Sequence, residues 1–117
     1  MKEEEVLDGN KLIADFMNLE CKKYGDSGVT YYIDGEPHQI LKLKYHSSWD
    51  WLMEVIEKIN CLDDFRYRFY IGKEFCSVKI ESQDNDLFWA GERSTIFSAW
   101  LVIIQFIEWH NKKINNA

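Results

Sequence analysis

The sequence predicts a single α+β domain in which a four-stranded antiparallel sheet of two hairpins is packed with three helices. Three stretches with apolar residues every three or four positions indicate the helices, and two pairs of alternating stretches indicate the hairpins. In chain order these elements read α-β-β-α-β-β-α. The 117 residues suffice for one core, which we place in a domain spanning 10–117, after a polar lead-in at 1–9.

Three amphipathic stretches carry the helical prediction. Apolar spacing predicts the first helix over residues 10–22 and the second over 49–60. The third helix, 96–109, follows a capping residue at Ser94 or Thr95. Because it is apolar almost all round, we expect this helix at the centre of the core.

The start of the second helix carries two tryptophans, Trp49 and Trp51, which mark either a ligand-binding box or a packed helix end. Ser47 lies three residues before Asp50, a spacing close to the capping box found at many helix starts. We therefore expect Ser47 to cap the helix and Trp49 to enter the core, with Trp51 at the rim of the apolar arc. The central apolar stripe consists of Leu52, Val55, Ile56 and Ile59.

The first hairpin joins a strand at 29–33 to a return strand at 36–45 through Asp34-Gly35, a pair suited to the positive φ of tight turns. Pro37 cannot donate a hydrogen bond to the ladder, which indicates an edge strand or a bulge. The two strands disagree about which face is apolar. We therefore expect a bulge or a shifted register near Pro37.

The second hairpin alternates strictly, with strands at 65–71 and 74–81 and a two-residue turn at 72–73. Counting outward from that turn pairs Phe69 with Cys76. The apolar face of this hairpin carries Phe65, Tyr67, Phe69, Cys76, Val78 and Ile80.

A loop is expected at 82–92, after the second hairpin. Its apolar segment Leu87-Phe88-Trp89 either fills a gap in the core or contacts a partner. We favour the core.

Composition excludes several classes of protein. The net charge of −6 argues against general phosphate binding, which requires a basic surface. The spacing of Cys21, Cys61 and Cys76 fits no zinc or redox motif, so we expect reduced thiols. The longest apolar run, 100–104, is far shorter than a membrane span, and the first residues do not resemble a signal peptide. We expect a cytoplasmic protein that does not bind a membrane.

The sequence gives little support for a catalytic or metal-binding role. His38, His46 and His110 do not stand at metal-ligand spacings, and no cysteine or serine accompanies a histidine and an acid in a recognisable motif. We expect no catalytic residue, no metal and no cofactor.

Basic and aromatic residues share the face of the second hairpin that lies opposite its apolar face. These are Arg66, Arg68, Tyr70, Phe75 and Lys79. Such a group can stack bases and hold phosphates, and the same residue types are favoured where proteins bind proteins. The alternative is a sheet face covered by a helix, with only the charged ends of the long side chains in water.

An acidic strip on the second helix is the other candidate surface. Asp50, Glu54 and Glu57 occupy the helix face that the apolar arc leaves free. This strip is either a solvated helix face or a docking surface for a basic groove on a partner.

Three segments give the chain a family resemblance. They are KLIADFM at 11–17, YHSSWDWLM at 45–53, and 94–111 with FIEWHN at its end. Together they resemble small phage and prophage proteins of Bacteroidetes, similar to the group called phage ABA-sandwich domains. The shared positions are apolar or capping ones, so the resemblance carries an expectation about fold and biological setting, not about activity.

The resemblance implies a non-enzymatic phage-type protein that inhibits a host defence system. An anti-CRISPR protein, which binds an effector nuclease or its guide ribonucleoprotein, is the concrete instance. A second hypothesis is that the protein sequesters a signalling nucleotide in a pocket lined by Arg66, Arg68 and aromatic residues. A third, a small enzyme, requires a cluster of carboxylates or a Cys–His pair that the sequence does not show.

Overall fold

The computed structural model describes residues 3–23, 29–33, 35–39, 42–81, 83, 85–91 and 94–115. Within these residues the fold is α+β, with three helices and two separate three-stranded antiparallel sheets. The prediction of one four-stranded sheet is therefore wrong. The order is α-β-β-β-α-β-β-β-α, because each predicted hairpin has gained a third strand.

The helices are α1 at Glu3–Phe16, α2 at Trp49–Cys61 and α3 at Thr95–Asn115. Helix α1 begins seven residues earlier than predicted, inside the expected lead-in, and its first turn is acidic, which suits the helix dipole. It ends well before residue 22 because Asn18 adopts a left-handed conformation, with φ of 59°, that helices commonly use to terminate.

Sheet A contains β1 at Glu20–Lys23, β2 at Val29–Ile33 and β3 at Glu36–Gln39, in that spatial order. Strands β2 and β3 pair without interruption from Thr30–Gln39 to Ile33–Glu36. The expected bulge near Pro37 is therefore wrong, whereas the expectation of an edge strand is confirmed. Of the predicted turn, Gly35 has φ of 84° and Asp34 lies outside the described residues.

Sheet B contains β4 at Tyr67–Ile71, β5 at Cys76–Ile80 and β6 at Asp86–Ala90. Its first two strands pair Ile71 with Cys76 and Tyr67 with Ile80. This register differs by two residues from the predicted one, because the connection is a four-residue loop, 72–75. Since a shift of two preserves the faces, the alternation was interpreted correctly although the pairs were wrong.

Strand β6 replaces the loop expected at 82–92. It pairs with β5 from Cys76–Ala90 to Lys79–Asp86, with a bulge between Val78 and Lys79. The predicted burial of the segment 87–89 is right for Leu87 and Phe88, which pack against the core, and wrong for Trp89, which is 56% exposed.

Helix α3 lies at the centre of the core, as predicted, and packs against α1, α2 and sheet B. Its fully or nearly fully buried residues are Ser98, Ala99, Trp100, Val102, Ile103, Phe106 and Ile107. None of the described helices combines the length and the apolarity that crossing a bilayer requires.

The helix caps follow the prediction only in part. At α3, the Ser94 hydroxyl accepts a hydrogen bond from the Phe97 amide over 3.4 Å, which confirms the cap. At α2, the cap position is taken by Ser48, whose side chain makes no capping hydrogen bond, so the assignment to Ser47 is wrong. Trp49 is 37% exposed and does not enter the core.

Candidate functional site

Sheet B has one buried face and one open face. On the buried face, Tyr67 contacts Phe106 and Trp109 of α3, with ring centroids 5.0 and 5.9 Å apart. Phe88 contacts the same tryptophan at 6.2 Å. Because side chains alternate along a strand, the residues between these point to the opposite side of the sheet, away from α3.

Strand register arranges the outer-face residues in two rows across sheet B. One row consists of Tyr70, Ser77 and Trp89, and the other of Arg68, Lys79 and Asp86. Tyr70, Trp89 and Arg68 are exposed, whereas Ser77 lies between two large rings and is only 2% exposed. The alternative that a helix covers this face is therefore not realised among the described elements.

Three aromatic rings are exposed at one end of this face. Phe75, in the loop that precedes β5, stacks on Trp89 with ring centroids 6.4 Å apart and an interplanar angle of 21°. Tyr70 lies across Ser77 from the same tryptophan. We call Arg68, Tyr70, Phe75, Lys79 and Trp89 the aromatic–basic face.

Acidic neighbours partly neutralise the positive charges of the aromatic–basic face. The guanidinium of Arg68 forms an ion pair with the carboxylate of Glu81, and Lys79 is paired in register with Asp86. The Lys79 ammonium also lies 5.1 Å from the centre of the Tyr70 ring, within the range of a cation–π interaction. The face therefore presents rings flanked by balanced charges, not a bare cationic patch.

Arg66 lies at the margin of this arrangement. Its carbonyl oxygen accepts a hydrogen bond from the Glu81 amide over 2.7 Å, just beyond the end of β4. Its side chain lines a separate open hollow with Asp63, Asp64 and Phe65. Of the five residues predicted to form the basic surface, four come together, and Arg66 stands apart from the aromatic rings.

Trp89 is the member of the face that the sequence interpretation missed, because residues 82–92 were expected to form a loop. The available signal was the alternation within residues 86–90, where Phe88 and Ala90 face inward and Trp89 faces outward. That signal is short, and the preceding polar segment obscured it.

A cavity of about 260 Å³ lies beside the outer edge of β4. It is lined by Asn60, Phe65, Tyr67, Arg68, Phe69 and Tyr70. The Asn60 side chain also accepts a hydrogen bond from the Phe69 amide over 2.9 Å, which satisfies part of the exposed strand edge. At this volume the cavity falls below the usual range for ligand pockets, about 300–1,000 Å³.

The acidic strip of α2 is exposed along its whole length, at Asp50, Glu54 and Glu57. Among the residues that the structure describes, none of the three carboxylates forms an ion pair. Asp50 and Glu54 line a cavity beside sheet A, whereas Glu57 does not. The strip and the aromatic–basic face are therefore separate surfaces.

The described residues form no metal-binding cluster, and the buried thiol of Cys76 is not activated as a nucleophile. No group of three or more His, Cys, Asp and Glu side chains in this part of the chain is placed to hold a metal ion. The Cys76 thiol is buried, and it donates to the Thr95 carbonyl oxygen over 3.6 Å. Burial raises the pKa of Cys76, which disfavours the nucleophilic thiolate.

Comparison of the chain with protein-family models, with curated protein sequences and with solved structures finds no match. The surfaces of the folded chain are therefore the basis for inferring its function.

Proposed function

We propose that this protein is a non-enzymatic, phage-type binding protein that inhibits a host defence system, with a CRISPR effector nuclease as its partner. The observation that carries the binding role is the aromatic–basic face, where three exposed rings stand beside an arginine and a lysine. The few residues that dominate the binding energy of protein interfaces are enriched in Trp, Tyr and Arg. The phage setting rests on the family resemblance of the three sequence segments.

A protein surface fits this face better than a nucleic acid does. Binding of phosphates depends on uncompensated positive charge, and here Glu81 engages Arg68 while the whole chain carries −6. Exposed rings with balanced charges around them resemble the centre and rim of a protein interface. Contact with guide RNA through base stacking remains an outcome that the experiments below distinguish.

Inhibition would follow from occlusion. A nuclease that binds nucleic acid has a basic channel, and a compact acidic protein held at its mouth repels the phosphate backbone of the substrate. In this arrangement the aromatic–basic face supplies affinity. The acidic strip at Asp50, Glu54 and Glu57 supplies the repulsion, or itself occupies the channel.

The direct test is a DNA-cleavage assay with purified guide-loaded CRISPR nucleases and increasing amounts of this protein. We expect one effector type to be inhibited and to form a stable complex in size-exclusion chromatography. The Tyr70→Ala/Trp89→Ala variant should lose inhibition, and Met53→Ala, which removes an exposed apolar side chain of α2, should retain it. Full inhibition by the double variant would reject the face as the interface. Cleavage that continues unchanged for every effector would reject the CRISPR assignment.

Two charge-reversal variants then separate the surfaces. Arg66→Glu/Arg68→Glu tests the basic side of sheet B, and Asp50→Lys/Glu54→Lys tests the acidic strip. Titration of single-stranded RNA at rising salt completes the set, because phosphate binding weakens steeply with salt whereas apolar contacts do not. Tight, salt-sensitive binding of RNA in the absence of any protein would indicate that the partner is a nucleic acid and not a protein.

Sequestration of a signalling nucleotide is the second candidate, because Arg68 stands beside the Phe65 and Tyr70 rings at the cavity next to β4, although a volume of about 260 Å³ accommodates only part of such a ligand. Arg68 could hold a phosphate there while Phe65 and Tyr70 contact a base. The test is the melting temperature in the presence of cyclic AMP and of cyclic di-GMP. A saturable rise in melting temperature that Arg68→Gln removes, together with no effect on any nuclease, would favour this function over the first.

A further inference from the structure

A second cavity, about 210 Å³ in volume, lies between the first turns of α2 and sheet A. Its apolar wall is formed by Met17 and Leu19, which follow α1, and by Ile33 at the end of β2. The volume suits a single side chain or a small molecule and is too small for a nucleotide or a folded peptide.

Two fixed aromatic rings form another side of this cavity. Trp51 and Tyr45 both line it, and their rings meet edge to face with centroids 5.1 Å apart. His38 of β3 packs against the same indole at 5.6 Å, also edge to face. Because the indole is held between these rings, its position does not depend on a ligand. Electron-rich ring faces of this kind attract cations.

Two carboxylates complete the lining. Asp50 and Glu54 are four residues apart on α2, which places them on one face of the helix, and like charges at this spacing repel. Lys58, four residues after Glu54, stands where a lysine would relieve that repulsion. Its ammonium instead donates to the Phe16 carbonyl oxygen and lies 4.5 Å from the centre of the Phe16 ring. Within the described chain, the two carboxylates remain without a cationic partner.

The Tyr45 hydroxyl gives an independent indication of a ligand. Tyr45 is 97% buried, being only 3% exposed, and within the described residues its hydroxyl takes part in no hydrogen bond. This hydroxyl is not one of the fully buried polar atoms that lack a partner, so solvent reaches it, and because Tyr45 lines the cavity the hydroxyl is available to a ligand there. Burial, and secondarily the charge of Glu54, raises the pKa of Tyr45 to about 12. The phenol is therefore neutral at physiological pH and can both donate and accept.

The chemistry of the lining decides the kind of ligand. Hard divalent ions take six or more oxygen ligands, which two carboxylates and a phenol between apolar walls do not supply. Anions are disfavoured by the two carboxylates. An organic cation suits every part of this lining. Its charged group contacts the carboxylates and the hydroxyl, and its stem contacts the rings and the aliphatic side chains.

We propose that this cavity binds an organic cation that carries an apolar stem, namely a protonated amine or a guanidinium. Asp50 and Glu54 bind the charged group, and the Tyr45 hydroxyl accepts a hydrogen bond from one of its N–H groups. The stem lies against Trp51 and Met17. A free alkylamine and the side chain of a lysine or arginine on a bound protein share this chemistry. The inference goes beyond the proposed inhibitor function and does not depend on it.

Titration with blocked arginine, N-acetyl-arginine amide, tests the proposal in two-dimensional NMR spectra of the indole N–H groups. The Trp51 signal is assigned by its loss in Trp51→Phe. We expect a saturable shift of this signal with blocked arginine or blocked lysine. The uncharged isostere N-acetyl-citrulline amide should bind about tenfold more weakly or worse, as expected when a charge-assisted hydrogen bond is lost. Equal binding of arginine and citrulline amides, or no saturable shift with any cation, would overturn the proposal.

Matched variants show which carboxylates bind the cation. Glu54→Gln and Asp50→Asn should each weaken binding of blocked arginine about tenfold, whereas Glu57→Gln removes a carboxylate of the same helix that does not line the cavity and should change little. All three side chains are exposed, so their isosteric amides should fold. A loss at Glu57→Gln as large as at Glu54→Gln would show attraction to the acidic strip in general and would refute a cavity site.

A comparison of probes identifies the source of the cation. Tighter binding of butane-1,4-diamine than of blocked lysine or arginine indicates a free amine, and the reverse order indicates a side chain of a partner. The proposed inhibitor function fails separately. If no nuclease is inhibited but blocked arginine binds, only that function is rejected, and if inhibition persists without cation binding, only this site is rejected.

Discussion

The side-chain oxygen of Asn10 accepts a hydrogen bond from the indole nitrogen of Trp100 over 3.0 Å, at exposures of 1% and 2%. The same amide donates to the Leu43 carbonyl oxygen and lies 2.9 Å from Nδ1 of His46. One residue of α1 thus joins α3 to the segment that precedes α2. Because the amide nitrogen only donates, Nδ1 of His46 must accept, which places the ring proton on Nε2.

Replacing Asn10 by leucine should therefore destabilise the protein strongly, because two other buried polar groups lose their hydrogen-bond partner. Asn10→Leu leaves the Trp100 indole N–H and the Leu43 carbonyl oxygen buried without these partners, at about 1–3 kcal/mol each. We expect the free energy of unfolding in urea to fall by about 3 kcal/mol. Lys11→Leu, the same substitution at the exposed neighbour, serves as control. Similar losses for both variants would show that the buried network contributes nothing.

Gly9 presses against the same indole. A Cβ atom at this position would overlap Cζ2 and Cη2 of Trp100 and lie 3.1 Å from Cδ1 of Ile104. Helix propensity alone favours Gly9→Ala by about 1 kcal/mol. Overpacking against a buried ring costs about 1–3 kcal/mol, so we expect a net loss of stability in thermal unfolding. Lys11→Ala reports the effect of alanine in α1 without the clash, and a higher melting temperature for Gly9→Ala would contradict the close packing.

These two neighbours explain why the sequence concealed the start of α1. Residues 3–9 are mostly polar, and the first fully buried residues of α1 are a glycine and an asparagine, Gly9 and Asn10, which hydrophobic periodicity does not count. The sequence predicted α2 and α3 well because their apolar residues recur over many turns. It could not predict β1 and β6, since each is only four or five residues long and is defined by its pairing with the neighbouring strand.

The candidate site was predictable where it depended on alternation and unpredictable where it depended on the loop. Arg68, Tyr70 and Lys79 share a face in any register that differs by an even number of residues. The position of Phe75 follows from the four-residue loop and from a stack with Trp89 in a third strand. No local pattern contains that stack, so Trp89 and its contact with Phe75 could be identified only from the tertiary structure.

The connection between α2 and β4 has an unusual backbone, which leads to a third prediction. Asp63, Asp64 and Phe65 have φ of 49°, 58° and 64°, all left-handed. Aspartate tolerates this conformation, whereas a bulky residue there costs about 1–2 kcal/mol. Phe65 is 65% exposed and gains little from packing, so Phe65→Gly should raise the free energy of unfolding by about 0.5–1 kcal/mol after the entropy of the unfolded glycine is deducted.

Phe65→Ala is the matched control for this effect. It removes the ring but keeps the Cβ atom that makes the left-handed conformation costly, so it should not share the gain. Urea denaturation of the two variants separates the contributions. A gain for alanine equal to that for glycine would mean that the exposed ring, and not the backbone, is the source of the instability.

Buried tyrosines should make the protein sensitive to alkali. Burial raises the pKa of Tyr45 to about 12 and raises that of Tyr31 as well, with Asp15 adding to the latter effect. An unfolded tyrosine ionises near pH 10, so the stabilising contribution is complete below about pH 10 and is lost as the pH rises toward 12. Lys58 acts in the opposite sense, because burial lowers its pKa and its contribution rises with pH until about 10.4.

Between about pH 10.5 and 12 the buried tyrosines therefore determine the change in stability, and Tyr45→Phe tests their contribution. At about 1.4 kcal/mol per pH unit, Tyr45 alone accounts for at most roughly 2 kcal/mol of the fall in unfolding free energy across this window of about 1.5 pH units. Because its hydroxyl has no partner within the described residues, Tyr45→Phe should change the stability little at neutral pH and should flatten the alkaline decline. Tyr70→Phe, at an exposed tyrosine, should leave the decline as steep as in the wild type. Parallel curves for Tyr45→Phe and the wild type in urea denaturation at rising pH would show that the folded state does not hold the Tyr45 proton.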